Sequence, residues 1–495
     1  MRRLRHAAYV GAAAGRRANM RRAAAERGVI LLAHINSQEE KLHYMTEQPI
    51  PRLVGTLAVP TIISMLVTSI YNMADTFFVG RIGTSATGAV GVVFSLMAVI
   101  QAVGFTFGNG SGNYISRLLG ARQEELASKV AATGFISALL FGVVFSTLGL
   151  IFLDSLVSIL GATPTILPYA RDYARYILIG APYMMASLVL NNLLRFQGNA
   201  FWGMIGITAG GVLNIALDPI FIFVLDMGTG GAALATIISQ FISFCILLHN
   251  CGKGGSLRIR LRDFAPSKEM YYQILRGGLP SFYRQGIASV STIVLNLAAG
   301  PFGDAAIAAM SVVNRVTQFA NSAMIGFGQG FQPVCGFNYG AKRYDRVYEA
   351  FWFCVRVAVV GLALVGITGL IFAPEVIAIF RRDDMQVIEI GAKALRFQAC
   401  TLPFMSWVTM SNMMLQTIGR TSRASFLALA RQGLFLIPAL LILPNFLGVL
   451  GVQMGQTVAD TITLLVAIPM SWGVLVELKN QPSEQPGGEA VVQAP

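Results

Sequence analysis

From Leu53 to Met73 the chain carries no charged side chain. A run of ~20 such residues is long enough for a helix to cross the ~30 Å hydrocarbon layer of a bilayer. Eleven further apolar windows follow, so that the series reads 53–80, 86–114, 129–153, 170–194, 201–225, 230–250, 274–300, 305–333, 350–373, 392–417, 424–444 and 448–476. Short polar links separate them and leave almost no chain for a soluble domain. Charged residues make up 12% of the 495 positions, about half the share in a soluble domain. Barrel strands would read instead as ~10-residue segments of alternating polarity. The sequence therefore predicts an all-α polytopic membrane protein with twelve transmembrane helices.

The net charge of +13 is placed unevenly. Arg and Lys collect in the first 52 residues and in the links after windows 2, 6, 8 and 10: Arg117, Arg122 and Lys129, then Lys253 to Arg276, Lys342 to Arg346, and Arg420 to Arg431. Basic loops stay in the cytosol, so both termini are expected there, and an even number of spans agrees. No basic face with interleaved aromatics marks a nucleic-acid binder, so no nucleic-acid partner is expected. The five cysteines show no CxxC spacing, and the four histidines show no HxxxH or HExxH pattern. That argues against a disulfide framework or a zinc site, and no cofactor is expected. Residues 1–44, Arg- and Ala-rich, lack the apolar core of a signal peptide. They read as a disordered tail or an overextended start ahead of Met45, with an amphipathic surface helix as the alternative.

The chain also repeats itself. Pro60, Gly80, Gly83, Ala86, Ala89, Gly108, Gly110, Gly120 and Ala121 recur 220 residues on as Pro280, Gly300, Gly303, Ala306, Ala309, Gly328, Gly330, Gly340 and Ala341. Pro182, Asn191, Leu194 and Gly198 recur one residue further displaced, as Pro403, Asn412, Leu415 and Gly419. The expected organisation is a tail (1–44), an N-terminal six-helix lobe (45–252), a cytosolic linker (253–273), a C-terminal six-helix lobe (274–478) and a disordered C-terminal tail (479–495). Six is even, so both lobes enter the membrane in the same sense. A pseudo-twofold axis along the membrane normal should relate them, with a cleft between that suits alternating access.

Within the first half, Asp75, Asn214, Asp218 and Thr236 interrupt apolar helices. An aspartate at the centre of a span costs ~2.5–3.5 kcal/mol on insertion scales, so its retention points to a use. Asn214 and Asp218 stand four apart on one helix face, and Pro219 frees a carbonyl in the preceding turn. Counted from the cytosolic ends, all four reach the outer half of the membrane, where they would form an oxygen-rich pocket for a proton or a sodium ion. Two carboxylates in low dielectric cannot both stay ionised cheaply, so one of them should hold a proton. The second half carries Leu295 where the first has Asp75. Its polar residues, Arg284 and Gln285 in window 7 and Asn314, Arg315 and Gln318 in window 8, are candidates for the cleft lining. Asn72 and Met73 are their counterparts in the first half.

The stretches YNMADTFFVGRIGTSATGAVG, GFTFGNGSGNYISRLLGARQ and GFGQGFQPVCGFNYGAKR resemble the paired signatures of the multidrug and toxic compound extrusion family, most nearly its bacterial MepA-like branch. The resemblance covers about 53–476. It implies two six-helix lobes in a bacterial plasma membrane that export amphipathic, often cationic drugs using a proton or sodium gradient, the proton being favoured here. In the DinF-like branch the cation site is an aspartate on helix 1, an Asn-x-x-x-Asp pair on helix 5 and a threonine on helix 6. These correspond to Asp75, Asn214, Asp218 and Thr236, with Asn191 of window 4 as a further member. The NorM-like branch has an acid on helix 7, which this chain lacks. A monomer embedded in lipid is expected. The alternatives are a lipid-linked precursor flippase, which usually has extra helices, and a membrane-bound lipid-modifying enzyme, for which the loops supply no cluster of carboxylates or histidines.

Overall fold

A computed structural model describes residues 38–253, 257–380 and 384–483; the expectations for 1–37 and 484–495 lie outside the described residues. Every apolar window is a helical rod. The first half consists of α1 (Gln38–Glu47), α2 (Ile50–Gly80), α3 (Thr84–Gly120), α4 (Glu124–Ile151), the short α5 (Leu153–Ile159), α6 (Leu167–Phe196), α7 (Ala200–Pro219) and α8 (Gly228–Asn250). The second consists of α9 (Lys268–Ala299), α10 (Asp304–Gly340), α11 (Tyr344–Ile371), the short α12 (Ala373–Ala378), α13 (Met385–Thr401), α14 (Phe404–Thr417), α15 (Thr421–Leu429), α16 (Ile437–Leu447) and α17 (Val449–Asn480). Nine of the described helices are long and apolar enough to cross a membrane.

Three rods are irregular where the sequence promised plain helices. The tenth breaks at Leu402–Pro403, because proline has no N–H to continue the ladder. The fifth and eleventh pass through π-helical turns, Ile220–Val224 directly after Pro219 and Ala430–Leu436 ahead of α16. Widened turns leave carbonyls without ordinary partners, and the Ser291 hydroxyl donates to the Gln432 carbonyl at 2.7 Å.

The repeat is visible in the backbone as well. Helix α3 ends with Arg122 at φ 59°, and α10 ends with Lys342 at φ 56°, 220 positions on. At both, the next N–H returns to the helix at 2.8 Å (Gln123 to Leu118 O, Arg343 to Asn338 O), the left-handed helix stop usually built on glycine. Close contacts between the halves recur in pairs too. A Cβ on Gly120 would meet the Phe337 carbonyl at 2.2 Å, and one on Gly340 would meet the Arg117 carbonyl at 2.0 Å. Gly278 faces Thr106 while Gly326 and Gly330 face Ile62 and Ala58. Exchanging residue n with n + 220 carries the Gly120–Phe337 contact onto Gly340–Arg117, and the Gly110–Gly278 contact onto Gly330–Ala58, which is the signature of a twofold axis between α2–α3 and α9–α10.

These glycine contacts all lie toward the end where α3 and α10 finish. There a single apolar core takes residues from both halves, from Leu53 and Ile115 to Phe337 and Leu415. Toward the other end the core divides. One cluster holds only first-half residues such as Ala89, Tyr173 and Ile237, and another only second-half residues such as Leu295, Val313 and Val452. The lobes are joined at one end and parted at the other.

The expected boundary at Met45 needs correction. Residues 38–44, assigned to a disordered tail, form α1 with 45–47, and Lys41, Tyr44 and Met45 are buried at the joined end. Apolar positions in α1 are too few to signal a helix on their own; packing against both lobes orders it.

Candidate functional site

Helix α7 owes its position to two adjacent glycines. A Cβ on Gly211 would stand 2.8 Å from Val67 of α2, and one on Gly210 2.9 Å from Ser243 of α8. With hydrogen in those places α7 slides between its neighbours, as small residues allow in membrane bundles. Asp218, two turns further on, is then carried toward Asp75 of α2 and Thr236 of α8. The Asn214 amide donates to Asp218 Oδ1 at 3.1 Å and lies 3.3 Å from Thr236 Oγ1. Tyr173 of α6, which sequence reasoning missed, adds its hydroxyl 3.5 Å from Asp75 Oδ2. Counted at ~1.5 Å per residue from the parted end, Asp75, Tyr173, Asp218 and Thr236 all lie ~8–12 Å deep.

The site is acid-rich and short of partners. Asp218 is fully buried and Asn214 and Thr236 nearly so, while Asp75 is half-buried. Asp75 Oδ1, Asp218 Oδ2 and Asn214 Oδ1 have no hydrogen-bond partner, and no Lys or Arg salt bridge to either aspartate occurs among the described residues. Buried polar atoms are nearly always satisfied, so three orphaned oxygens in one site are an unmet demand for a donor. No group of three or more His, Cys, Asp or Glu suited to a metal occurs among the described residues.

Asn191 is not brought to this set. Its amide donates to the Gly203 carbonyl at 3.2 Å, 15 residues before Asp218 on α7 and so ~22 Å away along the axis. It fastens α6 to α7 near the joined end. Its repeat partner Asn412 does the same, donating to the Ala424 carbonyl at 2.6 Å. The role is structural and duplicated.

The second half holds a different kind of carboxylate. Asp460 of α17 is buried and paired with Arg431 at 2.8 Å, and the Gln456 amide donates to the same oxygen at 2.8 Å. The sequence reading counted Arg431 with the basic link 420–431 and did not single out Asp460, although it lies inside window 12. Of the proposed cleft residues, Gln285 donates across the lobes to Gln101 at 3.1 Å. Met73 and Asn72 lie one turn beyond Ser69, whose hydroxyl donates to Ser322 of α10 at 2.7 Å, and so share its lobe-facing side. Arg315 lies on the face of α10 that carries Ser322 and Gly326, with Gln318 at its edge and Asn314 on the flank.

Between cleft and joined end lies a buried polar network that was not foreseen. Arg195 of α6 donates to the Gln329 carbonyl at 3.0 Å, to Gln332 Oε1 at 2.8 Å, to Asn109 Oδ1 at 2.9 Å and to Asn192 Oδ1. At its repeat position, 221 on, Gln416 donates to the Gly277 carbonyl at 2.9 Å and to Ser281 at 3.0 Å. Ser281 in turn accepts from Asn109 at 2.9 Å. Thr417 donates to Asn113 at 2.7 Å, and Arg117 donates to the Thr417 carbonyl at 2.8 Å. Both lobes thus reach across and latch the joined end.

Two six-helix lobes latched at one end and parted at the other, with carboxylates embedded in one of them, have the architecture of a membrane transporter. The chain belongs to the MatE family, whose model matches it twice, over residues 60–220 and 280–442. The two matches begin 220 residues apart (280 − 60), the offset of the internal repeat. The multidrug export protein MepA of Staphylococcus haemolyticus (strain JCSC1435) is 29% identical over 436 residues, 87% of this chain and 95% of that protein. MepA of Staphylococcus aureus (strain N315) is 27% identical over 442 residues with the same coverage. A solved MATE structure in complex with MaL6 superposes with a TM-score of 0.84 at 29% identity, covering 89% of this chain and 99% of that one. An outward-facing multidrug resistance MATE transporter of the MOP superfamily gives 0.83, with the same identity and coverage. The resemblance read from the signatures is borne out, and membership makes the chain a transporter, not an enzyme.

Proposed function

We propose that the protein exports amphipathic drugs from a bacterial cell in exchange for protons, as a monomer working by alternating access. The joined end and both termini face the cytosol, so the described state opens outward. The names of the MepA relatives support drug export, and the parting of the cores supports a two-lobe rocking motion. One observation carries the coupling: Asp75 and Asp218 each keep one unpartnered oxygen, at the same depth and away from any cation. A proton shared between two carboxylates needs one oxygen from each. Protonation from the open side would neutralise the pair and allow Tyr173 and Asn214 to repack around it. Drug and proton then favour different states, and that difference in affinity drives exchange. Sodium is the second reading, favoured by the third orphaned oxygen, Asn214 Oδ1.

Ethidium efflux from proteoliposomes under separately imposed proton and sodium gradients tests both. The proton reading expects efflux with the proton gradient alone, lost in Asp75→Asn and Asp218→Asn at matched insertion. Efflux driven only by sodium, or untouched by both substitutions, would remove it.

A further inference from the structure

The joined end is held by more than the two lobes themselves. Helix α1 buries Lys41, Tyr44 and Met45, which share one side at spacings of three and four. It packs against both α3 of the first lobe and α10 of the second. Its side chains reach the turn between α6 and α7, where a Cβ on Gly198 would stand 3.6 Å from Met45 Sδ and 3.9 Å from Lys41 Cδ. From the other lobe, the Asn338 amide of α10 donates to the Met45 carbonyl at 3.1 Å, and Arg346 of α11 donates to the Gln48 carbonyl. Arg346 also donates to Asn338 Oδ1 at 3.0 Å, which orients the pair. The chain then leaves the helical region at Pro49 (φ −55°, ψ 132°) and enters α2. A proline ends one helix and opens the next, so α1 keeps a direction of its own. A segment that leads into the first lobe is thus hydrogen-bonded to the second.

The pseudo-twofold reveals what α1 replaces. Gly198 and Gly419 are repeat mates, with φ 83° and 88°. At Gly419 the turn is met by Arg117 of α3, whose Nη1 would stand 2.8 Å from an added Cβ. The same guanidinium bonds across the lobes to the Thr417 carbonyl. The repeat mate of Arg117 is Phe337, whose side chain has no donor to offer the turn at Gly198. Helix α1 takes that place. The chain 220 positions on from α1, residues 258–267, forms only the single turn Leu261–Asp263, with Leu261 exposed. One side of the joined end is therefore closed by a side chain built into a lobe, and the other by a separate strap. Gly198 and Asn338 belong to different lobes, so α1 cannot keep hold of both once the joined end parts.

We propose that α1 is a detachable strap, which holds the lobes together at the joined end and must release before that end opens. This rests on the alternating-access reading and adds to it a control remote from the acidic site. Contacts made in one state only shift the balance toward that state by their differential free energy. A docked α1 therefore favours the state open at the parted end, and its loss favours the opposite one.

Hydrogen exchange of the chain in lipid nanodiscs, read by mass spectrometry, tests it. Helix ends exchange by local opening, ahead of global unfolding. A chain starting at Met45 should exchange about tenfold faster over residues 113–123 and 333–343, at the joined end, because two cross-lobe hydrogen bonds lose their context. Over 79–88 and 299–308, at the parted end, it should exchange more slowly. Arg346→Gln keeps α1 and removes its bond to Gln48, so it should act in the same sense by about threefold, the order of one lost hydrogen bond. That variant carries the test if the shortened chain fails to fold. A weakened fold exchanges faster at both ends, whereas a shift between states moves the two ends oppositely. Faster exchange at both ends, or no change at either end in both variants, overturns the strap. Adding ethidium to the unaltered chain biases the states without altering α1. Opposite changes at the two ends there, with none in either variant, leave alternating access standing. No opposite change under any of these conditions counts against both.

Discussion

The two lobes share a backbone plan and differ in what they do with buried charge. In the first, Asp75 and Asp218 have only hydroxyl and amide neighbours and keep orphaned oxygens. In the second, Asp460 is held by Arg431 and Gln456. A carboxylate with a fixed cation has little reason to take up a proton; one without is costly to keep charged. The two scaffolds are equivalent in backbone, yet one holds its carboxylates without a fixed cation and the other pairs its own with a guanidinium. The lesson is that pseudo-symmetry in the backbone need not extend to chemistry.

The sharpest way to break that comparison is to neutralise one carboxylate in each lobe. Asp218→Asn should cut gradient-driven efflux by about a hundredfold or more, because a site with no differential affinity shifts no equilibrium. Its folding should be little changed, since a neutral amide is easier to bury than a carboxylate. Asp460→Asn should do the reverse. It leaves the half-buried Arg431 without its carboxylate, at a cost on the order of 1–3 kcal/mol in stability, while coupling per folded molecule persists. Thermal unfolding in detergent and efflux normalised to folded protein separate the two outcomes. Similar loss of coupling in both variants would erase the distinction between the lobes.

Smaller in effect is a test of the symmetry itself. A Cβ on Gly120 would stand 2.2 Å from the Phe337 carbonyl, and one on Gly340 2.0 Å from the Arg117 carbonyl. Both are backbone contacts with no side chain to yield. Gly120→Ala and Gly340→Ala should each disfavour the latched state by about 1–3 kcal/mol, as overpacking does, and to a similar degree because the contacts are symmetry mates. Distances between spin labels across the joined end would report it. A large effect from one and none from the other would show that the latch is not shared evenly.

The smallest effect concerns α1, which has no counterpart in the second lobe. Burial holds the Lys41 amine down at about 7, against an ordinary 10.5. Between those values the unfolded chain binds more protons than the folded one, so this group's contribution to stability rises with pH across that window. Below pH 7 both states are protonated and the full burial penalty remains. Unfolding measured at pH 6.5 and pH 9 should show this rise, and Lys41→Met should flatten it by about 1 kcal/mol or more. An unchanged pH slope in that variant would assign the rise to other groups. Truncation to Met45 should lower stability, because it removes the buried Lys41 and Tyr44 of α1.

Much of the site was legible because its parts break local rules. Asp75 and Asp218 are charges in apolar rods, and Asn214 stands one turn from Asp218, so a depth count sufficed to group them. Tyr173 and the Arg195 network were not legible. Tyrosine near a helix end and arginine at the end of an apolar run both look like ordinary interfacial residues. Asn191 was misplaced for the opposite reason: its type fitted the site, and only the bond to Gly203 shows that it lies ~22 Å away.

The sequence by itself determined the twelve rods, the duplication and the presence of Asp75 and Asp218 inside apolar rods of the first half. Apolar length, spacing of repeats and charge are properties of the chain that need no partner. The tertiary structure decided which end is joined, which aspartate is neutralised, and that residues 38–44 fold at all. Those outcomes depend on glycine faces meeting carbonyls across the lobes, and on whether a guanidinium from a distant helix arrives within hydrogen-bond reach. Contacts between residues hundreds of positions apart are decided by packing, which no local pattern encodes.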